Sequence, residues 1–351
     1  MGNKMSSFYC LFIFFFSVAS STLLHFDVSP FLPLFSGPKL EIEGFMNMYH
    51  NNTIERLDDD IVPPSSTDPK TSVKSKDVVI SPQNGVSARL YIPISIPTLQ
   101  GHKLPLVIYI HGGGFCSGSA FNPIYHNYVS SLVANANVVA LSINYREAPE
   151  HPIPAAYQDS SSALRWVAQH SKGGGGGEAW LNDYVDFQSV YLVGDVAGAN
   201  IAHNVAMWAG QEDLEGFMLA GMVLMSPFFW GKKPIGEHEP KEIQIRNLVH
   251  TSWYVATGMK IELDDPRLNP IVDPNLSKLG CTRVLVCVAE NDRLRDRGEY
   301  YYKALGKSGW NGEVELYETK GESNVFQLRE PDSANSHALL NKVSSFVNKH
   351  A

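Results

Sequence analysis

The chain has 351 residues, of which 44% are hydrophobic and 18% charged, enough to bury a large core as one large α/β domain or two ordinary ones. Its formal charge of -8 and the lack of a basic stripe argue against a nucleic-acid partner. The four cysteines, Cys10, Cys116, Cys281 and Cys287, have no metal-ligand spacing and are too few for a disulfide scaffold, so buried free thiols are expected.

In chain order, Lys4 precedes an apolar run from Phe8 to Phe16 and then small residues, Ser17 to Ser21. Residues 1–22 read as a secretory signal peptide, too short for an ordinary membrane span. Met1-Gly2-Asn3-Lys4-Met5-Ser6 also matches the myristoylation pattern, with Cys10 nearby, so a lipid anchor stays open beside the signal. A cleaved signal implies secretion or an endomembrane; otherwise the chain is expected in the cytoplasm. The sequons at Asn51 and Asn275 matter only for a secreted chain.

Leu23 to Pro69 is mixed and proline-rich, and reads as an irregular wrap over the main body. Strands follow at Lys76–Ile80 and Ser87–Ile92 around the turn Pro82-Gln83-Asn84-Gly85, a hairpin signal. Next come a strand Leu104–Ile110, a helix near Tyr125–Ala136, a strand Val138–Ile143 and a helix Ala155–His170. Gly173–Gly177 reads as a surface loop. A short strand Val190–Val193, a helix Ala199–Ala209 and a strand Met218–Leu224 precede residues 226–270, which read as irregular and aromatic. The chain closes with strand Arg283–Ala289, helix Glu299–Leu305, strand Glu313–Glu318 and helix Ser333–Val347. This alternation predicts an α/β fold with a mainly parallel central sheet flanked by helices.

In such a sheet, chemistry gathers at the carboxyl ends of strands. One end carries His111-Gly112-Gly113-Gly114-Phe115, whose glycines let backbone N–H groups face a ligand. Others carry Asn291-Asp292 and Lys320-Gly321-Glu322-Ser323-Asn324-Val325-Phe326. The turn Gly194-Asp195-Val196-Ala197-Gly198 has the frame of a nucleophile elbow, Gly-x-Ser-x-Gly, but with valine at its centre. Valine has no lone pair with which to attack a carbonyl.

Over roughly residues 26–350 the chain resembles the plant carboxylesterases, in the hormone-sensitive-lipase-like branch of the α/β-hydrolases. The resemblance rests on Phe26-Asp27-Val28-Ser29-Pro30, Ile54-Glu55-Arg56-Leu57, His111–Phe115, Tyr145–Pro152, Gly194–Asn200 and Ala289–Leu294. It implies one hydrolase domain over 23–351, a cap from the N-terminal segment and the insertion near 226–270, and small ester-like substrates. It also implies that Gly113, Gly114 and Ala197 supply oxyanion-hole N–H groups and that Asp292 is the triad acid. Two positions depart from the pattern: Val196 stands for the serine and Asn324 for the histidine, while Gln327 replaces a second histidine. Asparagine can bond to Asp292 but takes no proton near neutral pH.

Cys116, Ser117, Ser119 and Ser323 are the nearby candidates for a substitute nucleophile, and His111 and His151 are expected to be structural. No metal site and no cofactor is expected; a membrane partner is expected only through residues 1–22. The expected function is a pseudo-esterase that binds a small apolar metabolite. The alternatives are a lyase or cyclase using the oxyanion hole, a residual ester hydrolase, and a decaying duplicate. A β-branched residue at the elbow implies either a strained backbone or a relaxed turn.

Overall fold

The structure, a computed structural model, describes residues 37–349 except 43, 59, 95–102, 173–175, 238, 240–242 and 261, and leaves out the side chains of 243–245 and 247. The expected signal or anchor at 1–22, the wrap up to 36 and the first three glycines of the glycine run lie outside the described residues.

The chain begins with three short strands, β1 (Leu40–Ile42), β2 (Met46–Met48) and β3 (Ile54–Arg56), in one antiparallel sheet. The sequence was expected to be irregular here; strands of three residues are too short to print an alternating pattern. The main body follows as β4 (Val73–Ser81), β5 (Val86–Pro93), β6 (Leu104–Ile110), α1 (Pro123–Ala136), β7 (Val139–Asn144), α2 (Ala155–His170), α3 (Ala179–Tyr184), β8 (Val185–Asp195), α4 (Ala197–Ala209) and β9 (Leu219–Met225). It ends with α5 (Ile243–Ala256), β10 (Arg283–Ala289), α6 (Arg295–Leu305), β11 (Glu313–Thr319), α7 (Phe326–Arg329) and α8 (Ala334–Asn348).

Eight of these strands form the central sheet in the order β11-β10-β9-β8-β6-β7-β5-β4. The pairings from β11 through β7 are parallel, and only β5 runs against its neighbours β7 and β4. Parallel strands need crossovers, and the helices that make them cover both faces, so inner strands read as continuous apolar runs. All seven residues of β6 are buried. Leu106, Ile108 and Ile110 join the apolar layer that holds Ala156 and Leu164 of α2, Ile201 of α4 and Tyr301 of α6. Val107 and Tyr109 join the opposite layer, with Val129 and Leu132 of α1 and Val343 and Phe346 of α8.

The insertion at 226–270 is not irregular throughout. It contains α5, with Val249, Trp253 and Ala256 buried at helical spacing. This helix packs against β1. Helix α6 also starts earlier than its apolar pattern predicts, because its first turn, Arg295-Asp296-Arg297, is held by ion pairs. Among the described residues no helix is long and apolar enough to cross a membrane.

Candidate active site

The centre of the sheet sets the site. Strand β8 ends at Asp195, α4 starts at Ala197, and Val196 alone makes the turn with φ 49° and ψ -111°. Its N–H donates to the Met225 carbonyl at 2.9 Å, and its carbonyl accepts from Phe228 at 3.0 Å. The flanking glycines are required by contact. A Cβ on Gly194 would strike the Gly198 backbone, and one on Gly198 would overlap the Ile110 carbonyl. Between these two close approaches Val196 takes a positive φ. For valine this costs roughly 1–3 kcal/mol. Of the two expected outcomes at Val196, the backbone is the strained one.

Beside the elbow, β6 runs into the glycine loop. The His111 ring lies stacked on Tyr145, with centroids 4.2 Å apart. Burial pulls its pKa down to about 4, so the ring is neutral and serves packing. The Tyr145 hydroxyl donates to the carbonyls of His111 and Gly112 at 3.0 and 2.8 Å. Gly113 has φ 87°, and a Cβ there would overlap the Ser117 carbonyl. Its own carbonyl is taken by the N–H groups of Cys116 and Ser117, both at 3.0 Å. Carbonyls of the loop are thus tied back. The N–H groups of Gly113, Gly114 and Ala197 make no hydrogen bond to any described residue.

Asp195 was not singled out by the sequence, nor was Tyr125. The Asp195 carboxyl is buried behind the loop, where it accepts from Tyr109 Oη at 2.7 Å, from the Gly112 N–H, and weakly from Tyr125 Oη at 3.5 Å. Burial outweighs those donors and pushes its pKa up to about 7. An acidic residue closing the apolar run Val190–Val193 was the available signal.

Asp292 lies in the loop after β10. Its Oδ1 accepts from the Leu294 N–H at 2.9 Å and its Oδ2 from Asn324 Nδ2 at 3.0 Å. The two loops are stitched together by Asn291, whose N–H donates to the Glu322 carbonyl at 2.8 Å and whose amide donates to the Gly321 carbonyl at 3.1 Å. Val325, which follows Asn324, takes φ 49° and ψ 33° at the start of α7. Gln327 is buried, with Nε2 3.9 Å from Met225 Sδ.

These parts meet on one cavity of about 500 Å³. Gly113, Gly114, Val196 and Asn324 all line it, while Phe45 and, from α5, Leu248 and Val249 form other walls. Ser252 and Ser323 also reach the wall, and Ser252 Oγ donates to its own helix at the Leu248 carbonyl, 3.0 Å away. Among the described residues no histidine lines this cavity. The other candidate nucleophiles lie off it. Cys116 is buried with its thiol pushed far up by burial, Ser117 is buried, and Ser119 is bonded to Asn144 at 2.9 Å. His151 is exposed. No group of three His, Cys, Asp or Glu side chains among the described residues could hold a metal.

Known proteins place this architecture. Residues 107–328 match a family described as having the alpha/beta hydrolase fold. The chain is 43% identical over 312 residues to probable carboxylesterase 13 of Arabidopsis thaliana, covering 86% of this chain and 94% of that relative. It is 42% identical over 320 residues to 2-hydroxyisoflavanone dehydratase of Glycyrrhiza echinata, covering 88% and 95%. Among solved structures, a Pyrobaculum calidifontis esterase superposes with a TM-score of 0.64 at 27% identity, covering 78% of this chain and 84% of that one. Sheet order, the glycine-flanked turn and these likenesses agree: the chain belongs to the plant carboxylesterase family of α/β-hydrolases.

Proposed function

We propose that this protein is a pseudo-esterase, which binds a small, largely apolar metabolite in the cavity without hydrolysing it. In this reading the N–H groups of Gly113, Gly114 and Ala197 polarise a ligand oxygen. Asp292 is a retained triad acid with no imidazole to orient, and Asn324 occupies the base position as a hydrogen-bonding strut. The observation that carries the reading is the isopropyl side chain of Val196 at the elbow of a cavity whose wall, among the described residues, has no histidine. Loss of nucleophile or base in a serine hydrolase lowers turnover on the order of 10⁶-fold, and losing both costs little more. What survives is a concave, apolar site with a few polar groups, the composition of a binding pocket. The test is a thermal-shift and calorimetry screen of small plant metabolites, with each hit incubated and checked for turnover. Saturable binding with the ligand recovered intact supports the reading, and hydrolysis at esterase rates refutes it.

A second reading, a lyase, draws on two relatives named 2-hydroxyisoflavanone dehydratase, from Glycyrrhiza echinata and Glycine max. Elimination of water needs no serine. It needs a base for the proton and a donor for the leaving hydroxyl. Asp195 and Tyr125 both belong to the cavity wall, but the Asp195 carboxyl is held behind the glycine loop by Tyr109, Tyr125 and the Gly112 N–H, so in this reading water or the substrate itself takes up the proton. Incubation with 2-hydroxyisoflavanones, followed by mass spectrometry for loss of water, separates this reading from silent binding.

A further inference from the structure

The charged groups on the cavity wall are Asp195, Arg293 and Arg329. Asp195 is already occupied by Tyr109, Tyr125 and the Gly112 N–H. The arginines are different. Of the eleven arginines in the chain, eight grip a carboxylate, and Arg283 donates to two backbone carbonyls. The remaining two, Arg293 and Arg329, have no ion pair or hydrogen bond to any described residue, and both line this one cavity. They come from separate loops. Arg293 follows Asp292, and Arg329 ends α7, five residues beyond Asn324. In a chain of formal charge -8, ample carboxylates exist to pair every guanidinium. Both are solvent-exposed, and two guanidiniums with no partner among the described residues stand on the wall of one largely apolar cavity.

On the same wall, the Gly113 and Gly114 N–H groups also have no acceptor among the described residues. A neutral ester can use those N–H groups but gives the guanidiniums nothing to grip. A carboxylate satisfies both sets, since two oxygens carrying a full charge match a planar guanidinium and accept from backbone N–H groups. The rest of the wall, Phe45, Phe228, Leu248 and Val249, suits an apolar body.

We propose that the ligand of this cavity is a small organic carboxylate. Its anion is held by Arg293, Arg329 and the glycine-loop N–H groups, and its apolar part lies against Phe228 and Leu248. This rests on the reading of the cavity as a binding site, and it names the chemical class of what binds.

The test uses matched probes on the full chain by calorimetry: 4-phenylbutyrate and 2-naphthylacetate, each beside its methyl ester and its primary amide. The carboxylates are expected to bind at least about tenfold tighter than their esters and amides, the scale of one charge-assisted contact. Arg293→Gln/Arg329→Gln should abolish that preference and leave ester affinity unchanged. A control, Lys172→Gln/Lys303→Gln, removes two exposed, remote positive charges and should keep the preference. Equal affinity for acid and ester, a preference that survives the arginine changes or falls equally in the lysine control, or no binding by any probe, overturns the proposal. Ester binding without preference leaves the pocket reading standing. Rapid hydrolysis of the methyl esters by the wild type removes that reading itself.

Discussion

Asn324 donates its side-chain amide to the Asp292 carboxylate across 3.0 Å, a bond that a neutral imidazole could also make but that here ends in a group unable to move a proton. Asp292 is buried, and among the described residues Asn324 is the side chain that donates to this oxygen. Asn324→Ala should lower stability by about 1–3 kcal/mol, the cost of a buried acceptor left unpaired. Asn324→His should restore most of it. Urea denaturation of the three proteins checks this, and an unaltered midpoint for Asn324→Ala contradicts it.

The elbow makes an opposite prediction for the neighbouring valines. Val196 is strained at φ 49°, whereas Val193 is fully buried in regular strand β8. Val196→Gly exchanges side-chain contacts for relief of strain and should fall within about 1 kcal/mol of wild type. Val193→Gly should cost about 3 kcal/mol or more, since a buried side chain is lost with no strain returned. Thermal unfolding of the pair decides it; equal losses would remove the strain argument.

Asp195 gives a pH dependence whose sign is fixed. Its pKa rises from 3.8 in the unfolded chain to about 7 in the folded one, so the folded state binds the proton more tightly. The stability this provides is fully present below about pH 4. It falls as pH rises from there and is gone once pH passes about 7. The upper limit is on the order of 4 kcal/mol. Asp195→Asn should flatten the stability profile between those limits. An unchanged slope in the variant would show that the carboxyl titrates normally.

The thiols test the alternative nucleophile. Cys116, Cys281 and Cys287 are all buried, and burial pushes the last two up to about 12. A Cys10→Ser variant should show no reaction with a thiol-specific dye in the native state, and three thiols once unfolded. Fast labelling of Cys116 in the native protein would reopen covalent chemistry at the site.

Sequence reading reached the central strands because burial on both faces writes itself as continuous apolar runs, as in Leu104–Ile110. It also singled out Gly113, Val196, Asp292 and Asn324 by residue identity and order, and the structure puts Gly113, Val196 and Asn324 on one cavity with Asn324 bonded to Asp292. It missed what depends on three-dimensional company. Strands β1 to β3 are too short to show a period. Helix α5 was hidden by the polar stretch before it, and its Leu248 and Ser252 therefore went unassigned. Asp195 and Tyr125 gain their relation only when α1 lies over the end of β8. Nor can a sequence reveal that two arginines out of eleven find no partner among the described residues; that needs every other ion pair to be mapped.

The account stands most directly on hydrolysis of p-nitrophenyl butyrate by the wild type, each single variant and Val196→Ser/Asn324→His. The wild type and both singles should remain at background, because nucleophile and base act as a unit, with losses on the order of 10⁶-fold. The double variant should gain measurable turnover, with the cavity, the glycine-loop N–H groups and Asp292 already in place. Wild-type turnover matching that of active carboxylesterases, unchanged by Val196→Gly, would contradict it.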